Sequence, residues 1–265
     1  MEPKLSHKIY LKKLQTLIPI VWLEKVQYIH SWLLLKWLLF GNSKPLLSNQ
    51  KSAMIFSPHQ DDETFGCGGM IAYKREHGIP VVVVFITDGK GSRSLDLDCQ
   101  NQIVQTRKQE AISALGILGV ESSHIHFLSK PDGCLPELSN EEHQQTIREI
   151  SELIQHYQPE EIYVPHRKDC HRDHEATYNL VKTVIREANI PVEVFQYPVW
   201  LFWRAPLFIL LKIQDIAAAY RFSITSVQDK KKRAIASYSS QIENLPRGFI
   251  KQFLNSHEIF FKSEL

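Results

Sequence analysis

Cysteine is scarce in this chain, and its cysteines form no motif. The 265 residues include four of them, Cys67, Cys99, Cys134 and Cys170, with no C-x-x-C pair. Isolated cysteines are typical of reduced thiols rather than of a disulfide framework. The expected location is therefore a reducing compartment, the cytoplasm.

A long uncharged apolar run is missing as well. The longest, Val26 to Leu35, is far shorter than the ~18–20 apolar residues that a membrane-spanning helix needs. Pro19, Glu24 and Lys25 interrupt the first apolar segment, and no small-residue cleavage site follows it. Neither a spanning segment nor a secretory signal is therefore expected.

The chain also lacks an excess of charge of one sign. Its 31 Lys and Arg residues oppose 29 Asp and Glu residues, and the net charge of +2 is too small to indicate a nucleic-acid partner. Hydrophobic residues make up 43% of the chain, a fraction typical of folded globular proteins, and the length suits one α/β domain.

Two aromatic-rich regions stand out against this ordinary composition. Residues 17–40 predict an amphipathic helix lying in the plane of a membrane surface, with Lys25 and Lys36 flanking its apolar face. Residues 197–211 contain two prolines and an arginine, which argue against a span. The alternative is that both regions pack on the domain or on a second copy of the chain, so peripheral membrane contact and a homo-oligomer both stay open. The apolar face consists of Trp22, Val26, Ile29, Leu33, Trp37 and Phe40.

The order of apolar patterns predicts an N-terminal helical extension, residues 1–51, followed by one domain, residues 52–265. In that domain, strands alternate with helices, which implies parallel strand pairing with helices on both faces. The expected fold class is α/β, a Rossmann-like three-layer sandwich with a mostly parallel sheet. The predicted strands are Ala53–Ser57, Val81–Thr87, His124–Leu128, Ile162–Pro165, Val192–Tyr197 and, after a less regular stretch, Ala218–Ile224; helices are expected at Gly68–Glu76, Gln100–Leu118, Glu141–Tyr157, His174–Ala188 and Val227–Tyr238.

Metal-ligating side chains cluster after two of these strands, in residues 59–63 and 166–175. The ends of parallel strands meet at one sheet edge, so the two clusters are expected to converge. His59 and Asp62 can chelate one ion, and either His171 or His174 can complete a site with three protein ligands and an open position. A divalent cation would also relieve the repulsion among the carboxylates of the first cluster.

Two other interpretations of the first cluster are weaker. An acidic helix start explains one or two carboxylates but not three beside a histidine. Gly66-Cys67-Gly68-Gly69 does not match the G-x-G-x-x-G of a dinucleotide site. These glycines are instead expected to let the helix start pack closely beneath the metal loop.

Five segments carry a resemblance to a known family. They are Pro58–Glu63, Thr87–Gly89, the R-x-x-E-A-x-x-A-L-G pattern at Arg107–Gly116, His171–His174, and Tyr238–Gln241. In these segments and their order, the chain resembles the PIG-L/LmbE-like N-acetylglucosaminyl deacetylases. Gln60 and Arg172 replace prolines of the family motifs, at positions that are not ligands.

The resemblance implies a site residue by residue. His59, Asp62 and His174 would be zinc ligands, although other divalent ions could also bind such a set. Asp61 would be the general base. The implied activity is zinc-dependent hydrolysis of the acetamide of an N-acetylated amino sugar, a small molecule or a glycolipid.

Three further roles follow from the same resemblance. His171 would face the substrate carbonyl, and Asp173 would orient it. Arg107 would contact a polar or anionic part of the substrate, the alternative being a surface ion pair with Glu110. Two rival functions stay open: a zinc amidase or esterase on a non-sugar substrate, and a membrane-surface binding protein whose metal site is idle.

Overall fold

An eight-stranded, mostly parallel sheet forms the centre of the protein. The computed structural model describes residues 19–91, 96–206 and 209–263. The sheet order is β1-β7-β8-β6-β5-β2-β3-β4. Only β8 runs antiparallel to its neighbours, β6 and β7. The strands are β1 (Lys44–Pro45), β2 (Ala53–Ser57), β3 (Val81–Thr87), β4 (Ile125–Lys130), β5 (Glu161–Pro165), β6 (Glu193–Tyr197), β7 (Ala219–Ser223) and β8 (His257–Ser263).

Helices cover both faces of this sheet, which confirms the predicted α/β class. Strand β2 shows why: Ile55 packs into one apolar cluster and the adjacent Phe56 into the other, because successive strand residues face opposite sides. The helices are α1 (Ile20–Leu39), α2 (Asp62–Glu76), α3 (Leu97–Leu118), α4 (Asn140–Tyr157), α5 (Arg172–Glu187), α6 (Leu201–Arg204), α7 (Ile213–Ile216), α8 (Gln228–Ala236), α9 (Ser239–Ile242) and α10 (Arg247–Lys251), with short 3-10 turns at Ser122–His124 and Leu135–Glu137.

Two differences from the sequence-based expectation affect the site and the sheet. Helix α2 begins at Asp62, well before Gly68, so the acidic residues of the first cluster form its opening turn. Strand β8 was not expected, because its buried run Ile259–Phe261 is short and follows a stretch without clear periodicity. Strand β8 lies between β6 and β7 in the sheet. It joins the last part of the chain to the domain.

The N-terminal extension is attached to the domain at two places. Leu34 and Leu38 of α1 are buried in a cluster with Leu201 and Phe261, and β1 pairs with β7. Residues 1–18, the first part of the predicted extension, and residues 207–208 of the second aromatic region lie outside the described residues. The boundary at residue 52 stays a prediction. None of the described helices combines the length and hydropathy that a membrane crossing requires.

The glycines of α2 lie against other side chains. A Cβ placed on Gly66 would overlap the ring of Tyr197, and one on Gly69 would overlap Ile224. The Tyr197 hydroxyl donates to the Phe56 carbonyl oxygen at 2.8 Å, which holds its ring in place. Helix α2 can therefore approach the end of β2 closely only because these positions lack a side chain.

We expect Gly66→Ala to lower the free energy of unfolding by about 2 kcal/mol. Alanine gains about 1 kcal/mol of helix propensity, but the overlap with Tyr197 costs about 1–3 kcal/mol, and displacing the ring breaks a buried hydrogen bond worth about 1 kcal/mol. Gly116→Ala is the matched control, since that exposed position of α3 has no atom within 4 Å of the added Cβ. Urea denaturation measures both; equal stabilisation of the two variants would contradict the close packing.

Candidate metal and catalytic site

The two clusters meet at the carboxyl edge of the sheet. Strands β2 and β5 pair in parallel, and the metal-ligating segments follow their ends. Asp62 Oδ2 lies 2.9 Å from His59 Nδ1 and 3.1 Å from His174 Nε2. Donor atoms around one tetrahedral zinc ion lie about 3.3 Å apart, given bonds of ~2.0–2.1 Å. Asp62 therefore lies, from each of the two rings, at nearly the spacing that a shared cation requires.

His59 is held through its outer ring nitrogen. Its Nε2 lies 3.1 Å from Asp173 Oδ2 and 3.1 Å from Asp132 Oδ1. Carboxylates on the far nitrogen fix a histidine's tautomer and orientation in metal sites. In its neutral form, with the hydrogen on Nε2, the ring would have the Nδ1 lone pair available for a cation that it shares with Asp62.

The two ring nitrogens of His174 have the reverse roles of those of His59: Nε2 faces Asp62, and Nδ1 contacts a supporting carboxylate. Its Nδ1 lies 2.7 Å from Asp169 Oδ2, and the buried Asp169 carboxylate also accepts the backbone N–H groups of Val199, Trp200 and Leu201. His174 Nε2 is fully buried, and its 3.1 Å contact with Asp62 Oδ2 is an ion pair that lacks hydrogen-bond geometry. A buried ring nitrogen that faces a carboxylate in this way suits a cation ligand, so this donor set fits a divalent ion.

The charges of the site are balanced by protons on its histidines. Burial works against a charged ring, yet the Asp62 and Asp169 carboxylates raise the pKa of His174 to about 9. The pKa of His59 is also raised, since Asp132, Asp173 and Asp62 outweigh its burial. A bound cation would displace these protons, so metal affinity should fall as the pH falls.

His171 lies against both of these histidines. Its ring centroid is 4.8 Å from that of His59 and 4.7 Å from that of His174, and nitrogens of the three rings lie within 4.8 Å of one another. Burial and the charges of His174 and His59 lower the pKa of His171 to about 3. His171 is therefore neutral near pH 7, at the edge of the ligand set.

Asp173 does not hold His171 in the expected way. Besides His59, the fully buried Asp173 carboxylate accepts the N–H groups of Gly133 and Leu135. His171 Nδ1 has no hydrogen-bond partner among the described residues. Both carboxylate oxygens of Asp173 are therefore hydrogen-bonded to groups other than His171. These contacts suit a side chain that orients His59.

Asp61 occupies a backbone conformation that non-glycine residues rarely adopt, with φ 135°. Its N–H donates to the Glu63 carboxylate at 3.1 Å, and Glu63 is held by the hydroxyls of Tyr238 and Thr64. Burial and the neighbouring Asp62 charge raise the pKa of Asp61. The late Tyr238 motif thus supports the first motif through Glu63.

An open cavity of about 300 Å³ adjoins these groups. Arg107 enters it from α3, 3.9 Å from Asp132 and hydrogen-bonded to Gln241. Glu110 is engaged by Ser239 and Ser240 rather than by Arg107. The lining comprises His59, Asp61, Asp62, Phe65, Gly91, Arg107, Asp132, Gly133, His171, Val199, Trp200, Gln241, Asn244, Leu245 and Phe249.

Sequence reasoning missed two supporting carboxylates. Asp132 follows the end of β4, the same kind of position that drew attention to the other clusters, but it stands alone there. Asp169 lies inside the second cluster, yet its role depends on three backbone N–H groups from the segment after β6. Only the folded chain brings these partners together.

We expect Asp169→Asn to weaken zinc binding by about 10–100-fold, because His174 would lose the carboxylate that orients it. Zinc titration of the metal-free protein measures the affinity, and circular dichroism checks the fold. Asp215→Asn is the control, since that buried carboxylate contacts Lys168, Arg167 and the backbone of Lys212. Unchanged affinity in Asp169→Asn would mean that His174 is not a ligand.

Comparison with known proteins finds the same fold in solved structures and a family match over part of the chain. One relative is the 4-oxalmesaconate hydratase of Pseudomonas putida, 26% identical over 217 residues, 72% of this chain and 74% of that protein. The N,N'-diacetylchitobiose deacetylase of Pyrococcus horikoshii has the same fold, with a TM-score of 0.59 at 20% identity over 80% of this chain and 84% of that one. So does a deacetylase of teicoplanin biosynthesis, with a TM-score of 0.62 at 19% identity over 80% and 97% of the two chains.

The family match covers the segment that contains both clusters. Residues 54–185 match the family described as PIG-L, GlcNAc-PI de-N-acetylase. This stretch runs from β2 through α5, and includes His59, Asp62, Asp132 and His174. The resemblance seen in the sequence is confirmed: residues 54–185 of this chain match the PIG-L de-N-acetylase family.

Proposed function

We propose that this protein is a zinc-dependent N-deacetylase that hydrolyses the acetamide of an N-acetylated amino sugar in a glycoconjugate. The observation that carries the proposal is the meeting of His59, Asp62 and the buried His174 Nε2 beside Asp61, next to an open cavity. The family match and the deacetylases that share the fold support the same reaction class.

His59, Asp62 and His174 would hold the cation. When bound, zinc would supply Lewis acidity toward an acyl oxygen and would lower the pKa of a bound water toward neutral pH. The chain's own contribution is to keep this donor set rigid: Asp173 and Asp132 hold one ring and Asp169 the other. Two imidazoles and one carboxylate leave room for a further ligand.

Asp61 is the general base of the proposed reaction. It lies next to the ligand Asp62 and lines the cavity, while its strained backbone, fixed by Glu63, turns it away from a regular helix start. A raised pKa brings a carboxylate closer to neutral pH, where a base transfers protons most effectively. Asp61 takes the proton of the attacking water and returns it to the leaving amine.

His171 stabilises the negative charge that develops on the acyl oxygen. With its pKa lowered to about 3, it stays a neutral imidazole in the working range of pH, and a neutral ring donates one hydrogen bond. Arg107 binds the polar remainder of the substrate, because it enters the same cavity with its buried Nε unpartnered among the described residues.

A screen for acetate release tests the proposal. The zinc-loaded protein is assayed with N-acetylated amino sugars, free and linked to lipid or nucleotide, and with acyl amino acids and simple esters in parallel. Turnover confined to amino sugars supports the proposal. Turnover confined to acyl amino acids or esters would replace it with an amidase or esterase, and stoichiometric zinc without any turnover would indicate a binding protein.

A second candidate function is hydration of a carbon–carbon double bond. The 26% identical relative is a 4-oxalmesaconate hydratase, and a metal-bound water beside a carboxylate base suits the addition of water as well as hydrolysis. Loss of the absorbance of 4-oxalmesaconate, without acetate release from any acetamide, would favour this candidate. Location in the cytoplasm and a homo-oligomer also stay predictions.

We expect Asp61→Ala to lower kcat by about 10²–10⁴-fold, the usual contribution of a general base, while stoichiometric zinc is retained. Elemental analysis after gel filtration measures the metal, and acetate release measures turnover. Asp98→Ala serves as the control, because that residue is exposed in the first turn of α3. Loss of zinc from Asp61→Ala would make Asp61 a ligand and reverse its assignment with Asp62.

A further inference from the structure

Helix α1 presents an apolar face to solvent. Its inner side packs Ser31, Leu34 and Leu38 against the domain, whereas the stripe that the sequence predicts faces outward. Such a continuous exposed stripe on one helix is unusual for a protein surface and marks an interaction site. The exposed fractions are Trp22 62%, Val26 60%, Ile29 55%, Leu33 55%, Trp37 38% and Phe40 80%.

Basic residues accompany this outward face of α1. Lys25 Nζ lies 5.0 Å from the Trp22 ring and Lys36 Nζ lies 5.4 Å from the Phe40 ring, so each charge lies beside an aromatic of the stripe. Glu24 is the only acidic residue in the sequence of α1 and is half-buried. The preceding sequence, residues 1–18, adds four Lys against one Glu. This charge complements an anionic surface.

The shape and charge of the outward face of α1 favour a bilayer over a second copy as its partner. A helix of 20 residues is about 30 Å long and about 10 Å wide. In a symmetric dimer built on this side, Lys25 and Lys36 of the two copies would be brought together, whereas both lysines complement an anionic lipid surface. A bilayer needs no matching protein surface, and tryptophan with lysine at the edge of an apolar stripe is typical of helices that lie at the lipid interface.

We propose that the outward face of α1 binds the protein to the surface of an anionic lipid bilayer. The helix lies parallel to the membrane, with its aliphatic and aromatic side chains among the acyl chains near the headgroups and Lys25 and Lys36 at the phosphate level. The same helix reaches the wall of the catalytic cavity: Tyr28 packs on Gly248, next to the lining residue Phe249. Membrane binding therefore holds the cavity near the lipid surface.

Flotation with vesicles tests this docking. Full-length protein is mixed with phosphatidylcholine vesicles, with and without about one-third phosphatidylglycerol, which gives the negative surface that attracts basic segments. We expect flotation with the anionic vesicles, weakening as salt is raised. Ile29→Ser with Leu33→Ser should lower the partition coefficient by at least about tenfold, since two aliphatic side chains no longer enter the lipid. Lys25→Glu with Lys36→Glu should lower it for anionic vesicles only.

The matched control is Leu47→Ser with Leu97→Ser, since these residues are 77% and 76% exposed but lie outside α1. The control should float like the wild type. Failure of the wild type to float, or equal flotation of the α1 variant, would overturn the proposal. A wild-type dimer that the α1 variant converts to a monomer, without vesicle binding, would assign the face to a second copy. Flotation requires no substrate, so its result is independent of the proposed deacetylation.

Discussion

The site depends on one buried carboxylate that lies between two imidazoles. Asp62 Oδ2 approaches a ring nitrogen of both His59 and His174, and each ring is held from behind by a carboxylate of its own. Burying so many charges is tolerable only when they are paired. The protons on the histidines provide that pairing, and a divalent cation bound by the same donor atoms would take the place of these protons.

The fold provides this arrangement through adjacent parallel strands. Strand β2 lies between β3 and β5, so the segments after these strands share one edge, and the loop after β4 brings Asp132 to the same place. Because the glycines of α2 have no side chains, the first turns of this helix can pack closely beneath that edge. Glu63 then joins it to Tyr238, from a segment far along the chain.

The features that the sequence predicts correctly are those that depend on short stretches of residues. The strands that alternate with helices, and the clusters after β2 and β5, are readable because each depends on a short stretch of sequence and on the geometry of parallel sheets. The partner of Asp173 and the roles of Asp132 and Asp169 could not be predicted. They depend on hydrogen bonds between distant segments, which produce no pattern in the sequence. Strand β8 was missed for a similar reason, as it is defined by pairing with β6 and β7.

Strand β1 has a consequence for the solution behaviour of the molecule. It pairs with β7 through only two residues, and the second, Pro45, has no N–H group to offer another strand. An open strand edge invites pairing with other molecules, and short edge strands ending in proline are a common protection. This small piece of the extension therefore terminates the sheet and guards it against edge-to-edge aggregation.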